Sequence, residues 1–273
     1  MRTLPNLKLT EKEINLLLQN PISDGSEGII CQGTNQTTVY KFFFGENKNT
    51  MPRVIHRIEE LTDMVDNKHQ KIQRLHQKSV EGIVKPISSI TCNDHLLGYE
   101  MTTDEQYTTL LNFLKQKNPS QEETIAILKA VKERLQYFSQ QDIIYGDVAL
   151  RNILIDKNDP RQITFCDIDN MQVERYPIDL IPRDAREYHY KRGIDEKLDA
   201  YMHNYMIISA LKLNFELIDF YCMPELIPYE FHEEIAPTIL SMENPEYFTG
   251  QYIIDYVKTK EEQVQYLKSL KGK

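Results

Sequence analysis

The most informative part of this chain is Tyr145-Gly146-Asp147-Val148-Ala149-Leu150-Arg151-Asn152-Ile153-Leu154-Ile155, with Ile163-Thr164-Phe165-Cys166-Asp167-Ile168-Asp169 shortly after it. Each segment contains an apolar run that predicts a short strand, at residues 153–155 and 163–165, and the two strands together predict a hairpin. Asp147 and Asn152 precede the first strand, and Asp167 follows the second. Amide and carboxylate oxygens are ligands that suit Mg²⁺, and a further carboxylate can orient an attacking hydroxyl. The pattern therefore indicates phosphoryl transfer.

Composition sets the size and the broad class of the protein. The chain has 273 residues, of which 41% are hydrophobic, so it can form one bilobal unit or two small domains. Its formal net charge is -9 at pH 7. An acidic chain of this kind argues against nucleic acid or an anionic membrane as its main partner, although a local cationic pocket can still bind ATP.

Cysteine spacing and the N-terminal sequence indicate a cytoplasmic protein. The four cysteines are far apart and form no CxxC pair, so reduced thiols are the simplest interpretation: Cys31, Cys92, Cys166 and Cys222. The N-terminal residues lack the apolar core of a signal peptide, and no apolar run approaches membrane-spanning length. We expect no nucleic-acid partner and no membrane partner. The protein substrate and the oligomeric state stay open.

Apolar periodicity predicts strands in the first part of the chain and helices in the second. Residues 10–18 form a helix with a capping box, residues 22–44 form strands, and residues 54–75 form one long helix. Further strands are predicted at 83–86 and 95–101, followed by helices from about residue 106. Strands followed by helices predict an α+β protein with two lobes. We divide it into an N-terminal extension (1–21), an N-lobe (22–104) and a C-lobe (105–273).

The segment around Asp147, Asn152 and Asp167 resembles the catalytic loop and the metal-binding aspartate of the protein kinase superfamily. The resemblance implies a bilobal protein kinase-like fold, with a small antiparallel β N-lobe and a reduced, mainly helical C-lobe. It implies ATP and Mg²⁺ as cofactors, with Asp147 positioning the acceptor hydroxyl and Asn152 and Asp167 binding Mg²⁺. Arg151 would neutralise charge on the transferred phosphate. The short chain resembles compact eukaryotic-like kinases of microbes or viruses.

The same resemblance extends to the first half of the chain. Lys41 stands where the family has a strand lysine that grips the phosphates, and a glutamate of the following helix usually pairs with it. Glu60 is the preferred partner here and Glu59 the alternative, although counting back from residue 84 leads to Lys71 instead. The residues implied to bind the nucleotide are Gly25, Ser26, Gly28, Ile30, Lys41, Glu60, Met101, Thr103 and Leu154.

Several positions depart from the family pattern or extend it. Gly146 replaces an arginine, which resembles atypical and small-molecule kinases, and Asp169 replaces a glycine and implies an added charge beside the metal ions. Ala185-Arg186-Glu187 resembles the end of an activation segment. Asp199 falls where the family has a helix aspartate that accepts backbone N–H bonds from the catalytic loop.

These observations predict ATP-dependent transfer of a phosphoryl group to a protein Ser/Thr hydroxyl, with Tyr as the alternative acceptor. Two other functions stay open. One is a small-molecule kinase, suggested by Gly146. The other is a catalytically silent kinase-fold binding module, suggested by Ser23 and Asp169.

Overall fold

The computed structural model of the protein describes residues 3–24, 28–44, 51–179, 181–182, 189, 193–195 and 197–215. The chain divides into two compact units. The first unit consists of Met1–Tyr107 and Thr164–Leu180, and the second of Thr108–Ile163 and Ile181–Lys273. The stretch after Asp167 therefore belongs with the first unit. The lobe boundaries expected at residues 21/22 and 104/105 stay predictions.

The first unit contains most of the strands. In chain order its elements are β1 (Asn6–Lys8), α1 (Glu11–Leu17), β2 (Ser23–Asp24), β3 (Ile29–Gln32), β4 (Thr38–Phe42), α2 (Met51–Glu60), α3 (Thr62–Lys78), β5 (Pro86–Cys92) and β6 (His95–Thr102). The elements that follow are β7 (Tyr107–Thr109), α4 (Leu110–Lys117), α5 (Gln121–Ser139), β8 (Ile143–Ile144), β9 (Ile153–Asp156), β10 (Ile163–Phe165), a 3-10 helix (Ile168–Asn170), β11 (Gln172–Val173) and α6 (Leu198–Phe215).

A six-stranded sheet forms the centre of the first unit, in the order β1-β5-β6-β4-β3-β2. All neighbouring pairs are antiparallel except β1 and β5, which run parallel. Part of the expected extension 1–21 is thus an edge strand. Helix α1 follows with the predicted capping box, in which Thr10 Oγ1 accepts from the Glu13 N–H at 3.3 Å and the Glu13 carboxylate accepts from the Thr10 N–H at 2.7 Å.

Strand β4 carries Lys41 to the middle of this sheet. Its five residues are all buried, and Lys41 lies opposite Ile30 of β3 and Tyr99 of β6. The neighbouring Gly98 has no room for a side chain, since a Cβ there would lie 2.0 Å from the Lys41 carbonyl oxygen. The glycine on β6 therefore allows the backbone of β4 to approach closely at the position of the buried Lys41.

The helical stretch predicted as one long helix is two helices. Helix α2 ends at Glu60 and α3 begins at Thr62, with Leu61 at φ -107° and ψ 22° between them. The Thr62 hydroxyl donates to the Glu59 carbonyl oxygen at 2.6 Å. Threonine side chains compete for backbone hydrogen bonds in this way and favour helix ends. The backbone helix is therefore interrupted here, although the apolar repeat of the sequence continues.

The described part of the second unit is mainly helical. Helix α5 begins at the N-cap Ser120, whose hydroxyl accepts from the Glu123 N–H at 3.1 Å. It packs against α6, where the His203 ring nitrogen Nε2 lies 3.0 Å from the Leu128 carbonyl oxygen. The buried side chains at the centre include Leu128, Val131, Phe138, Ile153 and Ile155. Helix α4 also contacts strand β9, which follows the catalytic-loop sequence.

A sheet unit followed by a helical unit confirms the predicted α+β class. Within the described ranges, no helix is both long enough and apolar enough to span a bilayer.

Candidate active site

The loop before Asp147 is held by a buried carboxylate of helix α6. The backbone N–H groups of Tyr145 and Gly146 donate to the two oxygens of Asp199, at 2.7 and 2.6 Å. Gly146 has φ 80°, a left-handed conformation that glycine adopts without steric cost. Burial raises the pKa of Asp199 to about 6, although the two N–H bonds oppose that shift. The predicted bracing role of Asp199 is confirmed.

The loop brings together three of the predicted catalytic and metal-binding residues. The Asn152 amide Nδ2 donates to Asp147 Oδ2 at 2.7 Å and to the Asp147 carbonyl oxygen at 3.1 Å. This fixes the donor end of the amide on Asp147, and Oδ1 is the atom with which an asparagine binds a hard cation. The guanidinium of Arg151 lies 3.3 Å from Asp147 Oδ2, on a side chain that is 63% exposed. Asp147 is therefore oriented from two sides by hydrogen-bond donors.

The first unit contains the second group of predicted residues. Lys41 Nζ contacts carboxylate oxygens of both Asp167 and Asp169. Burial alone would lower the pKa of Lys41, but attraction to Asp169 and then Asp167 overcomes it and raises the pKa above its ordinary value. Lys41 is therefore a permanent ammonium, as a phosphate-binding lysine must be. Asp167 sits at φ 58°, in the left-handed region that aspartate tolerates better than most residues.

The burial and the bonding partners of Asp169 were not predicted from the sequence. It is completely buried, and its oxygens accept from Lys68 Nζ at 2.6 Å and from the Tyr99 hydroxyl at 3.0 Å, as well as from Lys41. Burial alone would raise its pKa, but Lys41 and Lys68 together lower the pKa well below its ordinary value. The charge that was expected beside the metal ions is therefore neutralised by lysines inside the first unit.

The expected pairing of Lys41 with Glu60 is wrong. Glu60 is exposed and lies beside its helix neighbours, 3.5 Å from His56 and 3.8 Å from Arg57. The alternative, Glu59, is also exposed and lies 3.8 Å from His95. Both glutamates belong to α2, whereas the side chains that reach the region of Lys41 come from α3. Neither glutamate lies on the buried face of α2, which carries Val54 and Ile58.

The predicted phosphate-binding loop is only partly within the described residues. Gly25 and Ser26 lie outside them. Gly28 is described, and a Cβ there would lie 2.5 Å from the Phe42 carbonyl oxygen, so close packing on β4 alone requires a glycine. Ile30 is half-buried opposite Lys41. The Ala185-Arg186-Glu187 segment also lies outside the described residues.

The residues expected around adenine occupy different environments. Met101 is buried in β6 opposite Val39. Thr103 is exposed, and its backbone N–H donates to the Thr37 carbonyl oxygen at 2.8 Å. Leu154 is half-buried in β9 of the second unit. The roles of these three residues toward a nucleotide stay predictions.

The buried lysines of helix α3 were not among the site residues predicted from the sequence. Lys68 and Lys71 lie on the same helix face as Val65, Ile72 and Leu75, and all five side chains are buried. Their spacing follows the apolar period, so each lysine stands where an amphipathic helix usually has an apolar residue. That interruption of the apolar stripe was a readable signal of buried cations.

The oxygen ligands present fit a magnesium ion. Mg²⁺ is usually held by one or two protein oxygens together with substrate phosphates and water, and Asn152 and Asp167 are ligands of that kind. No group of three or more His, Cys, Asp or Glu side chains that could hold a metal occurs in the part of the chain described here. The Asn152 amide oxygen and the Asp167 carboxylate are each an oxygen ligand of the type that would bind Mg²⁺.

Comparison with protein families gives an independent result. Residues 16–172, more than half of the chain, match the family described as protein tyrosine and serine/threonine kinase. A search of curated proteins gave no match. The matched range includes the buried lysine of β4 and the loop that Asp199 holds by its backbone. On these grounds the chain belongs to the protein tyrosine and serine/threonine kinase family.

Proposed function

We propose that this kinase transfers the γ-phosphoryl group of ATP to a Ser or Thr hydroxyl of a protein. The observation that carries the proposal is the hydrogen-bonded loop in which Asn152 and Arg151 orient Asp147. A carboxylate held in this way can accept a hydrogen bond from the acceptor hydroxyl and take its proton as the new P–O bond forms. The bond between the γ-phosphorus and the bridging oxygen breaks in the same step, and ADP leaves with that oxygen.

Four further residues would act in this reaction beside Asp147. Arg151 neutralises charge that develops on the transferred phosphate, and Lys41 grips the phosphates as an ammonium. Asn152 and Asp167 each have an oxygen atom that would bind Mg²⁺. When bound, the metal would offset the negative charge of the phosphates.

A single-turnover assay with γ-labelled ATP and a mixture of generic protein substrates tests the proposal. We expect label in protein with the wild type and a fall of about 100-fold or more with Asp147→Ala. Asp159→Ala is the matched control, because Asp159 lies in the turn after β9 and its side chain is 43% exposed. Equal labelling by the wild type and Asp147→Ala would contradict the proposed role of Asp147. Phosphoamino-acid analysis of the product distinguishes Ser and Thr from Tyr.

A small-molecule kinase is the first alternative. Gly146 supports it, because glycine stands where protein kinases place an arginine before the catalytic aspartate. The same assay with aminoglycosides, choline and sugars as acceptors distinguishes the two functions. Transfer to one of these molecules, with no transfer to protein, would favour the alternative.

A binding module without turnover is the second alternative. The contact of Lys41 with both Asp167 and Asp169 supports it, since the phosphate-binding ammonium already has two carboxylate partners. Nucleotide binding without label transfer, with the same affinity in the wild type and Asp147→Ala, would favour this function.

A further inference from the structure

A chain of alternating charges runs through the first unit from the half-buried Asp167 and extends beyond the groups that the proposed reaction uses. In order, its members are Asp167, Lys41, Asp169, Lys68, Asp179 and Lys71. Three ammonium groups and three carboxylates make the chain neutral as a whole. A neutral set of this kind is what burial demands, because an unpaired buried charge is costly.

Two lysines of α3 form the far half of this charge chain. Lys68 Nζ lies 2.6 Å from Asp169 Oδ2 and 4.0 Å from Asp179 Oδ2. Lys71, one turn later, lies 2.5 Å from Asp179 Oδ2 and donates to the Pro177 carbonyl oxygen at 2.9 Å. Helix α3 is thereby attached to the segment that follows Asp167 by cations on the helix and carboxylates on the segment.

The charge that the helix contributes to this cluster is opposite in sign to the one that the family pattern implies. In the family, the helix supplies a glutamate to the strand lysine, and a glycine lies two residues after the metal-binding aspartate. Here the helix supplies Lys68, and the residue two positions after Asp167 is Asp169. The Asp169 carboxylate contacts Lys41 on one oxygen and Lys68 on the other. A glutamate at position 68 would add a second carboxylate beside Asp169 and leave the cluster with excess negative charge.

We propose that Asp169 replaces the helix glutamate as the positioning residue of Lys41, and that Lys68 holds Asp169 in that role. The inference rests on the proposed function in so far as Lys41 is the phosphate-binding lysine. It goes further by assigning the anion that orients this lysine to the segment after β10. The complete burial of Asp169 and its third bond, from Tyr99, fix the carboxylate in one orientation.

A charge-swap cycle in the full chain tests this proposal. The four proteins are the wild type, Asp169→Gly, Lys68→Glu, and the double variant that recreates the family arrangement. The measurement is the Kd of a fluorescent methylanthraniloyl derivative of ATP with Mg²⁺, together with kcat and KM for ATP. We expect each single variant to raise Kd by about tenfold or more. We expect the double variant to recover most of that loss, because a carboxylate again faces Lys41.

Two further variants separate positioning from loss of folding. Asp169→Asn keeps the size of the side chain and an acceptor for Tyr99, so it should weaken nucleotide binding while circular dichroism shows a folded protein. Asp94→Asn is its control, since the Asp94 side chain is 94% exposed and should leave Kd unchanged. Lys68→Met, compared with the exposed helix variant Lys115→Met, should weaken binding less than Asp169→Asn because Lys41 keeps its carboxylate.

The outcomes for this inference and for the proposed function are distinct. A wild type that neither binds the nucleotide nor transfers phosphate contradicts the proposed function. A wild type that does both, with unchanged Kd and KM in folded Asp169→Asn, contradicts the positioning role alone. A double variant whose Kd is no lower than that of either single variant also contradicts the positioning role. It would show that a carboxylate at position 68 cannot replace the carboxylate of Asp169.

Discussion

Two buried aspartates, one in each unit, show how the partners of a carboxylate decide its charge state. Asp169 in the first unit is 0% exposed and Asp199 in the second is 5% exposed. Burial acts on both in the same direction, toward a higher pKa. Lys41 and Lys68 reverse it at Asp169, whose pKa is lowered well below its ordinary value. The two backbone N–H groups at Asp199 do not, and its pKa is raised to about 6. At these two sites, two full counter-charges outweigh the loss of water, whereas two neutral N–H donors do not.

The largest effect is expected from removing the charge at Asp169. Asp169→Asn should lower the free energy of unfolding by about 3–5 kcal/mol, because it leaves Lys68 buried without its nearest carboxylate. Urea unfolding measured at neutral pH checks this value. Asp94→Asn, on an exposed turn, should change it by no more than about 0.5 kcal/mol. A loss below about 1 kcal/mol for Asp169→Asn would contradict the account of this cluster, since exposed pairs alone reach that size.

The second prediction concerns pH and the helix that carries Asp199. Burial lowers the pKa of His203, on the same helix, to about 4, although its bond with Leu128 opposes the shift. A histidine with a lowered folded pKa stabilises the protein above its ordinary pKa of 6.5, and that stability is lost as the pH falls from 6.5 toward 4. Asp199 acts in the opposite sense, because its folded pKa is raised. Its contribution is present at low pH and is lost as the pH rises from about 4 to about 6.

The two contributions therefore oppose each other between about pH 4 and 6. Relative to wild type, His203→Gln should gain about 3 kcal/mol in unfolding free energy as the pH falls from 6.5 to 4. Urea unfolding at several pH values in that window measures the difference. His95→Gln, on a half-buried histidine of β6, serves as the control. Parallel pH profiles for wild type and His203→Gln would refute the prediction.

A smaller effect is expected at the neutral donor of the first cluster. Tyr99→Phe removes the hydroxyl that donates to Asp169 at 3.0 Å. Because this bond is made to a charged acceptor, we expect a loss of about 1.5–3 kcal/mol in unfolding free energy. Tyr40→Phe removes a hydroxyl that meets the neutral Thr34 hydroxyl at 2.8 Å, so its cost should be about 0.5–1.5 kcal/mol. Thermal or urea unfolding compares the two variants. A larger loss of stability for Tyr40→Phe than for Tyr99→Phe would contradict the expected strength of the bond to the charged acceptor.

The smallest effect on stability is expected at Arg151, an exposed side chain of the second unit that pairs with the buried Asp147. Arg151 is 63% exposed at 3.3 Å from Asp147, so water screens the pair. Arg151→Ala should change the free energy of unfolding by about 0–1 kcal/mol, while it lowers the rate of phosphate transfer in a single-turnover assay. A drop in stability as large as that of Asp169→Asn would contradict the expectation that solvent exposure makes the Arg151 contact weak.

Local signals made much of the fold and half of the site predictable. The strand that carries Lys41 and the strand His95–Thr102 were predicted from apolar, β-branched and aromatic runs, and the helix at Thr10 from its capping box. Asp147 and Asn152 were predicted to act together, and their side chains share a bond of 2.7 Å because only four residues separate them. Where the interacting groups lie close in sequence, residue pattern and spacing were sufficient.

The partner of Lys41 could not be predicted in this way. Sequence distance favoured Glu60, but Glu60 is exposed and lies beside Arg57 of its own helix. The side chain of the following helix that reaches the buried cluster is Lys68. The carboxylate that contacts Lys41 lies more than a hundred residues away at Asp169. A buried ion cluster depends on which side chains meet through space. The lysines in the apolar stripe of α3 indicate buried cations, but the sequence does not indicate which carboxylates pair with them.

Strand β1 closes one edge of the large sheet with a few backbone bonds. The Ser89 N–H donates to the Pro5 carbonyl oxygen at 2.8 Å, and the Leu9 N–H donates to the Thr91 carbonyl oxygen at 2.9 Å. A recombinant version trimmed to begin after residue 9 would expose the backbone of β5 as an open template, onto which strands of other molecules can add. Trimming at this end would therefore favour aggregation, even though the removed residues lie far in sequence from every catalytic group.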